Sequence, residues 1–327
     1  MADALVLGAG SWGTALAILL AQKGLKVDLW GRDPEQIEQM KRDRANGRYL
    51  PNAPFPDTLC PVTEPAPSPV VVVAVPCSAA REVLERARFD SPIYVLASKG
   101  LEMGTGLRPS ETLLQVVGSA RFAALSGPNL ATELAQGVPT ATVAASPDRE
   151  TAKSVQAMFM SACLRVYTNS DVAGVELGGG LKNVYAISAG MSDGLGFGDN
   201  TKGALLTRGL AEMTRLGVAC GAKRETFTGL SGVGDLIATA CSRLSRNYRL
   251  GRAIGEGAPP QTALNELGQV AEGFNTAMEG EKLAARVGAE APIMSVVAAT
   301  LRGETTPAQA LASLMSRPPK EENETFA

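Results

Sequence analysis

Histidine is absent from the 327 residues. That removes the imidazole as general acid, general base and metal ligand, so any proton moved near neutral pH must travel on another group. An excess of charge of one sign is missing too. A net charge of -2 and a pI of about 5.5 exclude a general nucleic-acid or membrane-surface binder and leave room only for a local basic site. The five cysteines, Cys60, Cys77, Cys163, Cys220 and Cys241, form no C-x-x-C pair. Without histidine the familiar zinc patterns are excluded as well, and no metal site is expected. The cysteines read as small buried hydrophobes in a reducing cytosol, so a cytoplasmic location is expected.

A membrane span is nearly present and then broken. Ala4 to Gln22 contains no charged residue, which approaches the length of a span. Gly8, Gly10 and Gly13 interrupt it, however, and Asp3 stands where a secretory signal would have basic residues. No membrane insertion is expected.

What is there reads as two domains, which the length allows. Ala4 to Leu7 is a β run, GAGSWG a turn, TALAILLAQKG a helix ending at Gly24, and KVDLW a second strand. Further β runs at Val70 to Val75, Ile93 to Leu96, Phe122 to Leu125, Thr140 to Ala144 and Leu164 to Tyr167 alternate with polar helical segments. Continuous apolar strands alternating with helices predict an α/β fold, a Rossmann-like doubly wound parallel sheet. From about Asp171 the pattern is helical, with helices expected over 171–191, 203–220, 246–255, 273–286, 292–302 and 306–316. The expected division is a dinucleotide-binding domain at 1–179 and an all-helical substrate and catalytic domain at 180–327. PVTEPAPSP (61–69) reads as a loop and 317–327 as a solvated, disordered tail.

The spacing G-x-G-x-x-G at Gly8, Gly10 and Gly13, between a strand and a helix, is the context a dinucleotide fingerprint requires. The first glycine permits the tight turn, the second lets a pyrophosphate approach, and the third packs helix on sheet. Strand two ends in LWGRDP. An acidic residue at that tip favours NAD and an arginine accepts a 2′-phosphate; with Arg32 at the tip and Asp33 behind it, NADP is the expected preference. At the carboxyl ends of later strands stand Pro76 to Ser78 and Lys99, facing the expected ligand crevice.

In VELGGGLKNVYAISAG, Lys182 is the only Lys or Arg between Arg165 and Lys202, on a helix apolar nearly all round. A buried lysine is costly unless it is paired or its pKa falls. A snorkelling lysine is the bland alternative. Asp235, in GLSGVGDLIATA, reads equally as a helix N-cap or as the partner of a cation in a site. Arg243, Arg246, Arg249 and Arg252 recur every third residue; Ser245, Arg246 and Asn247 at a helix start suit a single phosphate, while Arg243 and Arg252 read as solvated charges.

The blocks GAGSWGTALA, IYVLASKGLE, LSGPNLATE, ELGGGLKNVYAI, GLSGVGDLIATA, SRNYRLG and VAEGFNTA, in this order over about residues 4 to 316, resemble the bacterial NAD(P)-dependent sn-glycerol-3-phosphate dehydrogenase family. The resemblance implies a usually homodimeric enzyme that interconverts sn-glycerol 3-phosphate and dihydroxyacetone phosphate with NADP or NAD and supplies phospholipid synthesis. By matching position it implies cofactor contacts at Ser11, Trp12, Arg32, Lys99, Ala131, Arg246, Val270 and Glu272. Substrate contacts are implied at Lys99, Gly127, Asn129, Lys182, Asp235, Ser245, Arg246 and Asn247, with Lys182 as proton acceptor. Asn129 stands where the family often has Ser or Thr, and Leu130 where it often has an aromatic. Two other classes share parts of the pattern: a ketopantoate-type or other hydroxy-acid reductase would lack the SRN block, and a non-catalytic NADP sensor would have no need of Lys99, Lys182 and Asp235 together.

Overall fold

The computed structural model describes residues 1–90, 92–319 and 321–322; part of the expected tail therefore lies outside the described residues. The chain forms two compact units, Met1–Ser98 with Pro109–Val172, and Lys99–Arg108 with Ala173–Ala327. The expected break at 179/180 falls inside a continuous helix, Val172–Gly194.

Unit 1 opens β1 (Ala4–Leu7), α1 (Ser11–Gln22), β2 (Val27–Trp30) and α2 (Pro34–Asp43), followed by a short hairpin, β3 (Ala45–Asn46) and β4 (Leu50–Pro54), and then β5 (Leu59–Val62). It continues with β6 (Val70–Val73), α3 (Cys77–Arg86), β7 (Ile93–Leu96), α4 (Pro109–Val117), β8 (Arg121–Ser126), α5 (Ala131–Ala135), β9 (Thr140–Ala145), α6 (Arg149–Phe159) and β10 (Leu164–Asn169). The main sheet has eight strands in the order β10-β9-β8-β7-β6-β1-β2-β5. Its strands are apolar on both faces because both faces are covered. Leu5, Leu7, Val71, Val73, Tyr94 and Leu96 pack with Ala80, Val83 and Leu84 of α3 and Leu113 of α4. Ala4, Val6, Leu29, Val72 and Val95 pack with Leu16 and Leu20 of α1 and with Val155 and Phe159 of α6.

The sheet departs from the expectation at its far edge, where β9 pairs antiparallel with β8 and parallel with β10. The segment joining β8 to β9 holds only the five-residue α5, and an antiparallel neighbour needs no full crossover helix. The hairpin and β5 went unread because each is short; β5 takes the first residues of the expected loop at 61–69. The uncharged N-terminal run becomes a four-residue strand and a twelve-residue helix, and among the described residues no helix is long and apolar enough to cross a membrane. All five cysteines are free, but the expectation of burial holds for Cys77 and fails for Cys60 and Cys241, which are exposed.

Unit 2 is helical: α7 (Val172–Gly194), α8 (Asp199–Ala219), α9 (Arg224–Phe227), a π-helical turn at Leu230–Gly234, α10 (Asp235–Cys241), α11 (Arg246–Gly255), α12 (Pro260–Glu266), α13 (Glu272–Val287), α14 (Pro292–Leu301) and α15 (Pro307–Met315). α7 is 23 residues long and buried from Gly174 to Ser192. A helix this apolar cannot face water on any side, so the other helices pack around it. Its glycines decide how closely. A Cβ on Gly178 would stand 2.7 Å from the Ser231 carbonyl oxygen, and one on Gly180 would stand 3.1 Å from Gly100 Cα. The glycines before Lys182 thus admit two backbone segments against α7: the turn that precedes Asp235 and the loop that carries Lys99.

Candidate active site

Lys182 lies one helical turn beyond Gly178, on the same face of α7. Its side chain is nearly sealed from solvent, and Nζ donates to Asp235 Oδ1 at 2.9 Å and to Thr239 Oγ1. The Thr239 hydroxyl in turn donates to Asp235 Oδ1 at 3.1 Å. The other carboxylate oxygen, Oδ2, is 2.7 Å from Lys99 Nζ. One carboxylate therefore holds two ammonium groups, one on each oxygen. The snorkelling alternative for Lys182 does not apply, since the ammonium points into this array rather than to water.

The N-cap reading of Asp235 fails as well. Gly234 is the cap of α10, without a side-chain hydrogen bond, and Asp235 is the first helical residue with its carboxylate turned to the lysines. Thr239 was not singled out in the sequence. It sits four residues after Asp235, hence on the same face of α10, and that spacing was the available signal.

The electrostatics follow from burial. Desolvation lowers the Lys182 pKa to about 8 from 10.5; Asp235 works against that fall, while Lys99 and Arg246 add to it. Burial alone would raise the Asp235 carboxyl, but the charges of Lys182 and Lys99 outweigh it and the pKa is lowered. Burial also lowers Arg246, which Glu272 partly restores. Lys182 and Lys99 thus share one fully buried carboxylate, and Arg246, opposed by Glu272, adds positive charge near Lys182.

α11 begins at the residues expected to hold a phosphate. Ser245 is its N-cap, and its hydroxyl oxygen accepts the Tyr248 N–H at 3.2 Å. Arg246 is the first helical residue, and the amides of the first turn face the helix start. Asn247 is occupied differently from a bare ligand contact. Its Oδ1 accepts the Gly273 N–H at 2.9 Å and its Nδ2 donates to Asn183 Oδ1 at 2.9 Å. Asn183 donates to the Lys99 carbonyl at 3.3 Å. This chain of amides ties α11 to α13 and to the Lys99 loop. Glu272 opens α13, and Val270 is exposed just before it. Arg243 is exposed, and Arg252 pairs with Glu256 on the surface.

In unit 1, Gly8 adopts a φ of +121°, a conformation that side chains disfavour, as the turn out of β1 requires. A Cβ on Gly13 would collide with the Gly8 carbonyl, whereas one on Gly10 would meet nothing within 4 Å. That open space lies at the start of α1, whose N-cap is Gly10 and whose first amides are those of Ser11, Trp12 and Gly13. The loop fits a pyrophosphate on those amides. Arg32 follows β2 and is exposed. Asp33 is committed elsewhere, accepting the Glu35 and Gln36 amides as the N-cap of α2. Gly127 has no room for a side chain, since a Cβ would stand 2.8 Å from Thr142 Cα. Asn129 turns its amide nitrogen to Thr140 Oγ1 and the Ala141 carbonyl, at 3.2 and 3.0 Å. Its buried Oδ1 has no hydrogen-bond partner among the described residues, and Ala131 opens α5. A cavity of about 540 Å³ walled by Met191, Leu205, Val296 and Leu311, with Glu212 in its lining, contains none of the lysine array and is mostly apolar.

A glycine-loop dinucleotide cradle in one unit and a buried lysine held by a carboxylate in the other are the equipment of a nicotinamide-dependent oxidoreductase. The N-terminal model of NAD-dependent glycerol-3-phosphate dehydrogenase matches residues 3–152, and the C-terminal model matches residues 171–312. The chain belongs to that family. It is 46% identical over 327 residues to a glycerol-3-phosphate dehydrogenase [NAD(P)+] of Chlorobium limicola, covering 97% of this chain and 98% of the relative. The crystal structure of glycerol-3-phosphate dehydrogenase from Coxiella burnetii is similar with a TM-score of 0.93 and 40% identity, over 97% of this chain and 99% of that one. A ketopantoate reductase from Ralstonia eutropha shares the fold alone, with a TM-score of 0.60 and 16% identity over 94% of this chain and 99% of that one.

Proposed function

We propose that the chain interconverts sn-glycerol 3-phosphate and dihydroxyacetone phosphate, supplying glycerol 3-phosphate for phospholipid synthesis, with Lys182 as the acid–base group. The observation that carries this reading is the sharing of the Asp235 carboxylate by Lys182 and Lys99. A nicotinamide cofactor, when bound, supplies or accepts the hydride at C2. In the reductive direction the Lys182 ammonium hydrogen-bonds the ketone oxygen, stabilises negative charge as it develops, and delivers its proton there. In the oxidative direction the neutral amine takes the hydroxyl proton. Asp235 and Thr239 hold Nζ in place, and Lys99 adds a second positive charge for the oxygen and the phosphate. Ser245, Arg246 and the start of α11 bind the phosphate and fix the reacting carbon relative to Lys182.

Gly8, Gly10, Ser11, Trp12 and Gly13 receive the pyrophosphate, with Ala131, Val270 and Glu272 as further cofactor contacts, and Gly127 and Asn129 contact the substrate. Arg32 gives NADPH the preference over NADH, because Asp33 is spent on the α2 cap and leaves the arginine at the strand tip. An NADPH-to-NADH ratio of kcat/KM at or below one would overturn that preference. The functional unit is a homodimer, which light scattering of the purified chain tests.

The test of the reaction is the absorbance of NADPH on mixing with dihydroxyacetone phosphate, with unphosphorylated dihydroxyacetone as control. Oxidation only with the phosphorylated ketone is the expected result. Oxidation with neither ketone, alongside tight NADPH binding, would overturn the substrate.

A further inference from the structure

The glycine loop has a feature that its own sequence does not contain. The Ala9 carbonyl oxygen accepts two side-chain amides, Asn46 Nδ2 at 3.0 Å and Gln36 Nε2 at 3.0 Å. Asn46 is completely buried. Its Nδ2 also donates to Thr14 Oγ1 at 2.8 Å, inside the first turns of α1, and its Oδ1 accepts the Tyr49 N–H at 3.3 Å. Both N–H donors of this amide are thus used, and two of its three bonds go to the loop and the helix that follows it.

The consequence lies in peptide geometry. In a trans peptide the C=O and N–H point in opposite directions. Holding the Ala9 carbonyl on Asn46 and Gln36 turns the Gly10 N–H to the opposite side of the peptide, and at Gly10 itself a Cβ would meet nothing within 4 Å. The carbonyl could not hold that orientation unaided, because glycine at Gly8 and Gly10 leaves the backbone free to rotate. The hairpin is braced to deliver Asn46. Arg44, in the left-handed region at φ 50°, donates to the carbonyls of Phe55, Pro56 and Leu59, tying both ends of the β3–β4 hairpin to the strand that follows. Leu50, Ala53 and Phe55 pack into the core of unit 1.

We propose that Asn46, supported by Gln36, is a positioning residue that pre-orients the Ala9–Gly10 peptide for the pyrophosphate of the dinucleotide. The inference rests on the family's use of NAD(P) and adds residues outside the glycine motif to the cofactor machinery. It requires the loss on mutation to be specific to ligands that carry the pyrophosphate.

Calorimetric titration of the whole chain with NADPH and with adenosine 2′-monophosphate, which lacks the pyrophosphate, tests it. Asn46→Ala should bind NADPH roughly tenfold more weakly, the effect of losing one buried hydrogen bond together with the order it imposes, while adenosine 2′-monophosphate binds as in wild type. Gln36→Ala, a half-buried position whose loss leaves no core cavity, should show the same selective loss to a smaller degree. If Asn46→Ala does not fold, Gln36→Ala decides alone. Unchanged NADPH affinity in the folded variants, or equal losses for both ligands, overturns the inference while leaving the cofactor assignment intact. A wild-type chain that takes up neither NADPH nor NADH would overturn both.

Discussion

Lys182 and Asp235 are 53 residues apart in the chain and joined at 2.9 Å in the fold. The carboxylate keeps the buried ammonium from losing its proton altogether, and the burial keeps it from being an ordinary lysine. The result is a pKa of about 8, close to the range where a group can serve as both acid and base.

Ketone reduction needs the Lys182 ammonium and alcohol oxidation needs the free amine. The reductive kcat should therefore fall as pH rises through about 8, and the oxidative kcat should rise through the same value. Lys182→Ala should lower both by roughly 10²–10⁴-fold, the usual contribution of a positioned acid–base group. Rates within about tenfold of wild type would remove Lys182 from the mechanism.

Asp235 raises the pKa of Lys182, so Asp235→Asn should move the reductive pH limb to lower pH. The variant also leaves two close ammonium groups without their shared counter-ion, and its thermal stability should drop. A limb that stays in place would show that another group sets it.

Arg246→Ala should raise the KM for the phosphorylated ketone by roughly 10–100-fold, in line with the loss of charge-assisted hydrogen bonds. An unchanged KM would place the phosphate elsewhere.

Gly178→Ala sets a Cβ against the Ser231 carbonyl oxygen, backbone on both sides. The turn before Asp235 must move away from α7, at a cost of about 1–3 kcal/mol for overpacking. Circular-dichroism melting should show the lower Tm, and kcat should fall because Asp235 moves with the turn. A Tm and kcat equal to wild type would mean the turn does not need α7 so close.

Glu212 on α8 is buried, and its carboxylate accepts the amides of Ile293 and Met294 at 2.9 and 2.8 Å and the Tyr185 hydroxyl at 3.2 Å. Burial raises its pKa from 4.5 to about 7 against the pull of those bonds. A raised folded-state pKa means that its contribution to stability is fully present below about 4.5 and is lost as pH rises through about 7. Glu212→Gln, which keeps an acceptor and does not titrate, should flatten that slope in urea titrations. Glu212→Ala should cost on the order of 3 kcal/mol by stranding buried donors.

How much of this was legible follows the range of the interactions. The glycine loop, most of the strands, the long helices of unit 2 and the oddity of Lys182 are patterns within a dozen or so residues, where periodicity and turn chemistry are set by neighbours along the chain. Even so, Asp235 read as a cap or a partner with equal force, because both roles look alike from one segment. The tertiary structure chose between them when Gly178 let the turn at Leu230–Gly234 close on α7. The same holds for the reversal of β9, for Thr239 beside Lys182, and for Asn46 beneath a loop 37 residues earlier. Amino-acid identity alone determined a dinucleotide loop and a lysine too buried to be idle; packing between distant segments decided which carboxylate would hold it, because a pairing across the fold leaves no period in the sequence to read.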